Sequence, residues 1–353
     1  MTVFQVCAYA APYEGNFIKS LKALASSLTA QGHRTIFAFP ESAKTISWVE
    51  DLGREYDLFF LPLAKARIKP ETYATLRGIY KKYDDLEVIH SHFELYDVPV
   101  SLTAPKHVKV FWHLHDALQI YNAFKHRIVH RIQYGFLHGK AKLLSVSEKH
   151  MQYVLRCGFP KSQAEFVPNG IDTDRIRLVS QIPEDRAYDF LLFGWEFERK
   201  GVDLCIEAMR VKKLACSVAV VGAEDTEAII RERYGEVNGL KVVGHVSDIN
   251  ELYNNARCFL HISRAEGLSY ALLEAIYAGL PIICSDIDEN RFAQKFPTVK
   301  MIPAGRIEEI GNAMEEMISK VCSVEEIASS RKIIDDEYSI SCWVKQILRE
   351  YGL

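Results

Sequence analysis

No stretch of about 18 residues in this 353-residue sequence runs without a charged or polar break, so no membrane-spanning helix is expected. Basic residues are not in excess. The 43 lysines and arginines stand against 46 acids, for a formal charge of -3, whereas a dedicated nucleic-acid binder is normally clearly basic. Cysteine pairs are missing as well: the eight cysteines are scattered, none in C-x-x-C spacing. Most sit inside apolar runs, where cysteine behaves as a small hydrophobe. This argues against a zinc site or a disulfide framework and for a reducing, cytoplasmic setting. No basic segment precedes the apolar part of "MTVFQVCAYAAPYEGNF", so this segment reads as a first strand rather than a secretory leader. There is no low-complexity tract and no short repeat.

What is present is the composition of an ordinary soluble protein, 48% hydrophobic and 25% charged. The length exceeds what one core usually covers, so two domains are expected. "TVFQVCAY", "RTIFAF", "DLFFLP", "LEVIHSH", "VKVFWHLH" and "KLLSVS" read as strands. A helical pattern, "NFIKSLKALASSLTAQG", follows the first of them. Strands alternating with helices imply βαβ units and a parallel sheet. The pattern restarts after "FVPNGIDTDRIRLVSQIPEDRAY", with strands "DFLLFGW", "SVAVVG", "LKVVGH", "CFLHIS" and "PIICS". The expected division is a first domain over 1–167 and a second over 168–337. A closing helix with apolar Trp343, Ile347 and Leu348 spans about 338–353.

In doubly wound sheets, ligands bind where strand carboxyl ends feed helix amino termini. "CFLHIS" leads to such a point through "RAEG", before a helical "LSYALLEAIYAG" closed by Gly279 and Pro281. The amides of Gly267, Leu268 and Ser269 suit an anion such as a phosphate, and Gly267 permits close approach to the backbone. Glu266 and Glu274 flank this point. Acids beside a phosphate repel it, so they more reasonably grip hydroxyl groups on either side, as on a sugar ring or a ribose. The plainer alternative is that both are helix-terminal or surface charges.

The surroundings favour the first account. "VPNGID", "FGWEFERKGVDLCIEAM", "VVGHVSDINELYNNA" and "SRAEGLSYALLEAIYAGLPIICSD" occur in one order. Together they resemble the retaining, nucleotide-sugar-dependent glycosyltransferases of group 1 (family 4), and the resemblance covers nearly the whole chain. It implies an α/β protein of GT-B fold: two Rossmann-like domains with parallel sheets facing across a cleft, and a C-terminal helix crossing back to the first. It also implies transfer of a sugar from a nucleotide diphosphate, UDP before GDP, to a hydroxyl acceptor. The donor is then a co-substrate, and no cofactor or metal is required; no D-x-D motif follows an early strand. Carried over by position, Glu266 contacts donor-sugar hydroxyls and Glu274 the ribose. Gly267, Leu268 and Ser269 cradle the diphosphate, Lys200 in "RKG" neutralises it as it leaves, and Val246 in "GHVSD" meets the base. In the family's proposed front-face mechanism, the departing phosphate takes the acceptor proton. One departure is Trp195, which follows Gly194 where relatives often carry an arginine. Arg199 either supplies the missing charge or is a solvated loop residue.

In the first half, "LEVIHSH" and "HLHD" resemble two strand ends of the family, and His115 matches the histidine facing the donor sugar. His90 and His113 read as buried and locally satisfied. Histidine pairs such as His90/His92 and His113/His115 can bind metal, but the acids that would orient such ligands are not evident. "APYEGNF" stands where relatives carry a glycine-rich loop, bringing Gly15 and Asn16 toward the reaction centre. Residues 117–147 carry Lys125, Arg127, Arg131, Lys140 and Lys142 with interleaved apolar residues and no acid. This segment is either a helix with its apolar side on the sheet or a surface that rests on anionic lipid at the inner face of the cell membrane. The second account implies a lipid-linked or carbohydrate acceptor, as in bacterial surface-polysaccharide assembly. Two other functions share the architecture: a sugar-nucleotide epimerase, and a weakened paralogue that binds donor or stabilises a partner.

Overall fold

The computed structural model describes residues 1–115, 124–179, 186–244, 246 and 248–353. The chain divides into two compact units, Met1–Gly170 with Ile340–Leu353, and Ile171–Ser339. The break at Gly170/Ile171 lies slightly beyond the expected 167/168. Asn169 belongs with the first unit through its bond to His115.

The first unit is built on strands β1 (Thr2–Cys7), β2 (Arg34–Pro40), β3 (Asp57–Leu61), β4 (Leu86–His92), β5 (Lys109–Leu114), β6 (Lys142–Ser145) and β7 (Ala164–Phe166). Their order is β3-β2-β1-β4-β5-β6-β7, with every pair parallel. β1 is buried along its whole length, as expected of a strand covered on both faces. The helix Gly15–Ala30 buries Phe17, Leu21, Leu24 and Leu28 at helical spacing. The last helix, Ile340–Tyr351, returns to this unit and buries Trp343, Val344, Ile347 and Tyr351 in the same core. Truncating a buried tryptophan of this kind typically costs about 3–5 kcal/mol, so the returning helix is an integral part of the unit.

The second unit carries β8 (Tyr188–Phe193), β9 (Val218–Val221), β10 (Leu240–Val243), β11 (Ala256–His261), β12 (Ile282–Asp286) and β13 (Val299–Pro303). They are ordered β10-β9-β8-β11-β12-β13, again all parallel. In each unit the strand order reverses direction once: between β1 and β4, and between β8 and β11. Loops leaving the carboxyl ends on either side of such a point diverge and leave a crevice for a ligand. In the second unit those loops are 194–201 and 262–269.

Candidate functional site

The two loops of the second unit bring Lys200 and Glu266 together. Lys200 closes the loop after β8, one residue before Gly201, the N-cap of the helix Val202–Lys212. Gly201 takes φ +79, and a Cβ there would lie 2.5 Å from the Ile262 carbonyl oxygen. Only glycine lets this loop pack so closely on the one after β11. The Arg264 N–H donates to the Arg199 carbonyl at 2.8 Å and ties the loops directly.

Lys200 Nζ donates to Glu266 Oε1 at 2.7 Å, with both residues buried. Arg199 Nη1 donates to Glu266 Oε2 at 3.2 Å and to the Ala265 carbonyl at 2.8 Å. The neighbouring side chains therefore converge on one carboxylate, and Arg199 is not a solvated loop charge; its other nitrogens hold Glu196. Burial pushes the Glu266 carboxyl up, but the Lys200 ammonium and the Arg199 guanidinium outweigh it and hold it at about 2. His261 ends β11 with Nε2 3.8 Å from Glu266 Oε1. Burial lowers its pKa to about 4, so the ring is neutral near pH 7. Trp195 is 45% exposed and stacks on Phe193 at 5.2 Å. Its ring lies 5.4 Å from Lys200 Nζ, within cation–π range.

Gly267, Leu268 and Ser269 form the turn into the next helix rather than its first residues. That helix runs Tyr270–Ala278, and Ser269 is its N-cap, its hydroxyl accepting from the Leu272 N–H. Glu274, one turn further on, is buried. Its Oε1 accepts from Arg175 Nη2, and its Oε2 from the Tyr253 hydroxyl at 3.0 Å. Burial, and next the Glu274 charge, push the Tyr253 phenol well up, so it stays a donor. Val246 is half-buried; its neighbours His245 and Ser247 lie outside the described residues.

In the first unit, parallel register explains a cluster that two H-x-H strings only hint at. Gln5 sits opposite His90, Cys7 opposite His92, and His92 opposite His113. Alternation then puts His90, His92, His113 and His115 on one face. His90 Nε2 lies 3.2 Å from His113 Nδ1, and His92 Nδ1 2.9 Å from His115 Nε2. His90 Nδ1 meets the Tyr351 hydroxyl at 2.7 Å, and His92 Nε2 meets Gln5 Oε1 at 2.8 Å. Burial depresses all four imidazoles, His115 to about 4, so each ring offers one donor and one acceptor. With Gln5 Oε1 accepting from His92, His92 Nδ1 must accept from His115 Nε2. His115 Nδ1 is then an acceptor. The Asn169 Oδ1 lies 2.9 Å from it, and a one-way chain calls for this amide to turn its NH2 end to the ring.

Both His115 nitrogens are thus engaged inside the unit, and only 5% of the residue is exposed. Nitrogens of His90, His92 and His113 lie within 4.8 Å of one another. Both His90 nitrogens, however, already meet protein partners, Nε2 the His113 Nδ1 at 3.2 Å and Nδ1 the Tyr351 hydroxyl at 2.7 Å. Gly15 opens its helix at φ +57, and Asn16 behind it is buried. After β4, Phe93 and Glu94 take successive left-handed conformations at φ 64 and 62, a costly arrangement for non-glycine residues. Arg67 and Gln133 hold the Glu94 carboxylate there.

Part of the basic segment, 117–123, lies outside the described residues, as does the Lys125 side chain. In the helix Phe124–Gly135, Tyr134 and Gln133 face inward while Ile128, Val129 and Ile132 are exposed. Phe136, just beyond it, is 80% exposed. The apolar stripe is therefore not packed on the sheet. Arg127 and Arg131 are exposed beside it, whereas Lys142 pairs with Glu350 and Lys140 holds the carbonyls of Pro105 and Lys106. Among the described residues, no helix is long and apolar enough to cross a membrane.

Two doubly wound units, each with charged or polar groups gathered at its switch point, define the GT-B class. The same fold is seen in Anabaena Alr3699/HepE, crystallised with UDP, at 14% identity and a TM-score of 0.79 over 100% of both chains. Residues 188–320 match the model "Glycosyl transferases group 1", and residues 19–175 match "Glycosyltransferase Family 4". The chain belongs to this family of GT-B glycosyltransferases. It is 24% identical over 303 residues to the lipopolysaccharide glucosyltransferase WaaG of Escherichia coli K12, covering 77% of each chain. It is also 24% identical over 202 residues to the phosphatidyl-myo-inositol mannosyltransferase of Mycobacterium leprae, where it spans 54% of each.

Proposed function

We propose that this protein moves a sugar from a nucleoside diphosphate, UDP in first place, to a hydroxyl of a glycolipid or polysaccharide acceptor, with the anomeric configuration retained. The observation that carries the reading is the buried Lys200–Glu266 pair at the β8/β11 switch point, with Arg199 alongside. Lys200 stabilises charge developing on the leaving diphosphate, and the Gly267–Ser269 turn adds its backbone. Lys200 and Arg199 are the cations offered to the diphosphate in this proposal, which invokes neither metal nor cofactor. Glu266 accepts hydroxyls of the donor sugar and Glu274 those of the ribose, with Val246 beside the base. For Gly15, Asn16 and His115 of the first unit, the family resemblance supports a place on the sugar side. HepE complexes with UDP and with UDP-glucose support the choice of nucleotide.

In the reaction the bond from C1 to the diphosphate oxygen breaks as a bond from C1 to the acceptor oxygen forms on the same face. The acceptor proton passes to the departing phosphate oxygen. Glu266 and Glu274 are both already ion-paired, which favours the leaving group over either acid as the base.

The test is thermal unfolding with UDP-, GDP- and ADP-sugars, on the wild type and Glu274→Ala. A bound donor stabilises the fold by mass action, so one nucleotide series should raise Tm in the wild type and not in the variant. Absence of a shift with every nucleotide would defeat the proposal.

The names of WaaG and the mannosyltransferase support a lipid-linked acceptor, and with it work at the cytoplasmic face of a membrane. The exposed stripe Ile128, Ile132 and Phe136, with exposed Arg127 and Arg131 beside it, suits an anionic surface. Phe136→Glu should lower co-flotation with phosphatidylglycerol vesicles several-fold and leave transfer to a water-soluble acceptor intact. Equal flotation of both proteins would remove this surface from the account.

A further inference from the structure

We propose that Arg175 is a positioning residue for the donor's ribose, acting through Glu274. The proposal rests on the reading of Glu274 given above. A carboxylate next to a bound diphosphate repels it, and the site answers this for each acid separately. Lys200 and Arg199 neutralise Glu266. Arg175 neutralises Glu274.

Three segments of the second unit converge on the Glu274 carboxylate: the short 3-10 turn Thr173–Arg175, the helix Ile249–Asn254 that carries Tyr253, and the helix Tyr270–Ala278 that carries Glu274 itself. Arg175 is held by a built clamp. The buried Asn250 side chain donates through Nδ2 to the Arg175 carbonyl at 2.9 Å, and its Oδ1 accepts from the Arg177 N–H at 2.8 Å. The same Nδ2 donates to Asp248 Oδ1 at 2.7 Å. The backbone following Arg175 is thus fixed to the start of the helix that carries Tyr253.

Arg175 donates to Oε1 and Tyr253 to Oε2. A carboxylate oxygen can accept more than one hydrogen bond, so a carboxylate held in this way can meet the two hydroxyls of a vicinal diol. Guanidinium and phenol together fix the carboxylate plane, and this decides whether both ribose hydroxyls are met at once. The arrangement recognises a ribonucleoside diphosphate over its deoxy forms.

The experiment measures dissociation constants of UDP, 2′-deoxy-UDP and 3′-deoxy-UDP by calorimetry, and of GDP and its deoxy forms if GDP binds instead. The proteins are the wild type, Arg175→Gln, Arg175→Lys, Glu274→Gln and the double variant Arg175→Gln/Glu274→Gln. Wild type should prefer the ribonucleotide by roughly ten- to a hundredfold, as expected for a hydrogen bond to a charged group. Arg175→Gln should collapse most of that preference while binding of the deoxy forms changes little, and Arg175→Lys should restore part of it. At saturating acceptor, Arg175→Gln should raise the donor KM far more than it lowers kcat.

Arg175→Gln leaves Glu274 buried without its cation and is expected to lower Tm. The double variant should recover Tm, which assigns the loss to the uncompensated carboxylate, and unchanged binding of the deoxy forms by Arg175→Gln separates positioning from folding. Equal weakening of ribo and deoxy forms by Arg175→Gln would overturn the proposal, as would tighter ribonucleotide binding, which would mark Arg175 as a competitor of the ribose. If Glu274→Gln abolishes the preference and Arg175→Gln does not, the proposal fails and the reading of Glu274 stands. If wild type shows no preference, or Glu274→Gln keeps it, the reading of Glu274 fails and takes this proposal with it.

Discussion

Lys200→Ala should lower kcat for sugar transfer by about 10²- to 10³-fold, the loss typical of removing one preorganised donor to developing negative charge. The charge cannot be supplied from water, because Lys200 is almost wholly buried and sits on a loop fixed by Gly201. The competing account is that Lys200 only balances Glu266. Under that account the substitution acts through folding: removing one partner of a buried pair costs about 3–5 kcal/mol, less here because Arg199 stays 3.2 Å from the other carboxylate oxygen. Urea unfolding and steady-state kinetics on the same preparations separate the two. Lys200→Met/Glu266→Gln removes both charges and should regain much of the lost stability while remaining inactive. A Lys200→Ala enzyme that turns over within about fivefold of wild type would show that the leaving diphosphate is neutralised elsewhere.

The parts of this chain that local pattern reveals are those whose physics is local. β1, β4 and β11 are apolar runs between turn formers, and each H-x-H string fixes two side chains on one face. β7 is invisible to pattern because three residues, Ala164–Phe166, carry no periodicity, and they border a turn-rich stretch that reads as a linker. β13 is hidden for a similar reason, since "FPTVKMIPAG" has a proline on either side. A helix start is misplaced by pattern where a cap decides it: Ser269 bonds the Leu272 amide, which places "LS" outside the helix. Long-range pairings are not legible at all. Arg175 and Glu274 are 99 residues apart, and His90 and Tyr351 are 261 apart. Only the folded register brings such groups together. Lys200 and Glu266, 66 residues apart, are associated in the sequence only because the resemblance names both. His261 is a residue with a usable signal, a histidine ending an apolar strand just before "RAEG".

The protein should also lose stability steeply below about pH 6.5, the ordinary pKa of an unfolded histidine. Five buried imidazoles are depressed in the fold: His90, His92 and His113 well below that value, His115 and His261 to about 4. Above pH 6.5 neither state binds these protons and their contribution is complete. As pH falls toward 4 the unfolded chain takes up protons that the fold refuses, so stability drops by about 1.4 kcal/mol per pH unit for each such ring. Asp97 works in the opposite sense. Burial raises its carboxyl to about 7, so between its unfolded value and pH 7 the fold holds a proton the unfolded chain has lost. Acidification therefore favours the fold at this one site. Five rings against one carboxyl leave a net loss of roughly 5 kcal/mol per pH unit once the unfolded rings are charged. Between pH 7 and pH 5 the net loss is roughly 7 kcal/mol, a large share of a total stability of about 5–15 kcal/mol. Glu266, held at about 2, adds to the loss only below the ordinary carboxylate range. Tryptophan fluorescence during urea unfolding at half-unit steps from pH 5 to 8 gives the slope directly. His113→Asn should reduce it by about one proton. A flat profile between pH 5 and 6.5 would show that the histidine chain accepts protons without opening. A rise in stability toward acid would show that Asp97, not the histidines, governs the response.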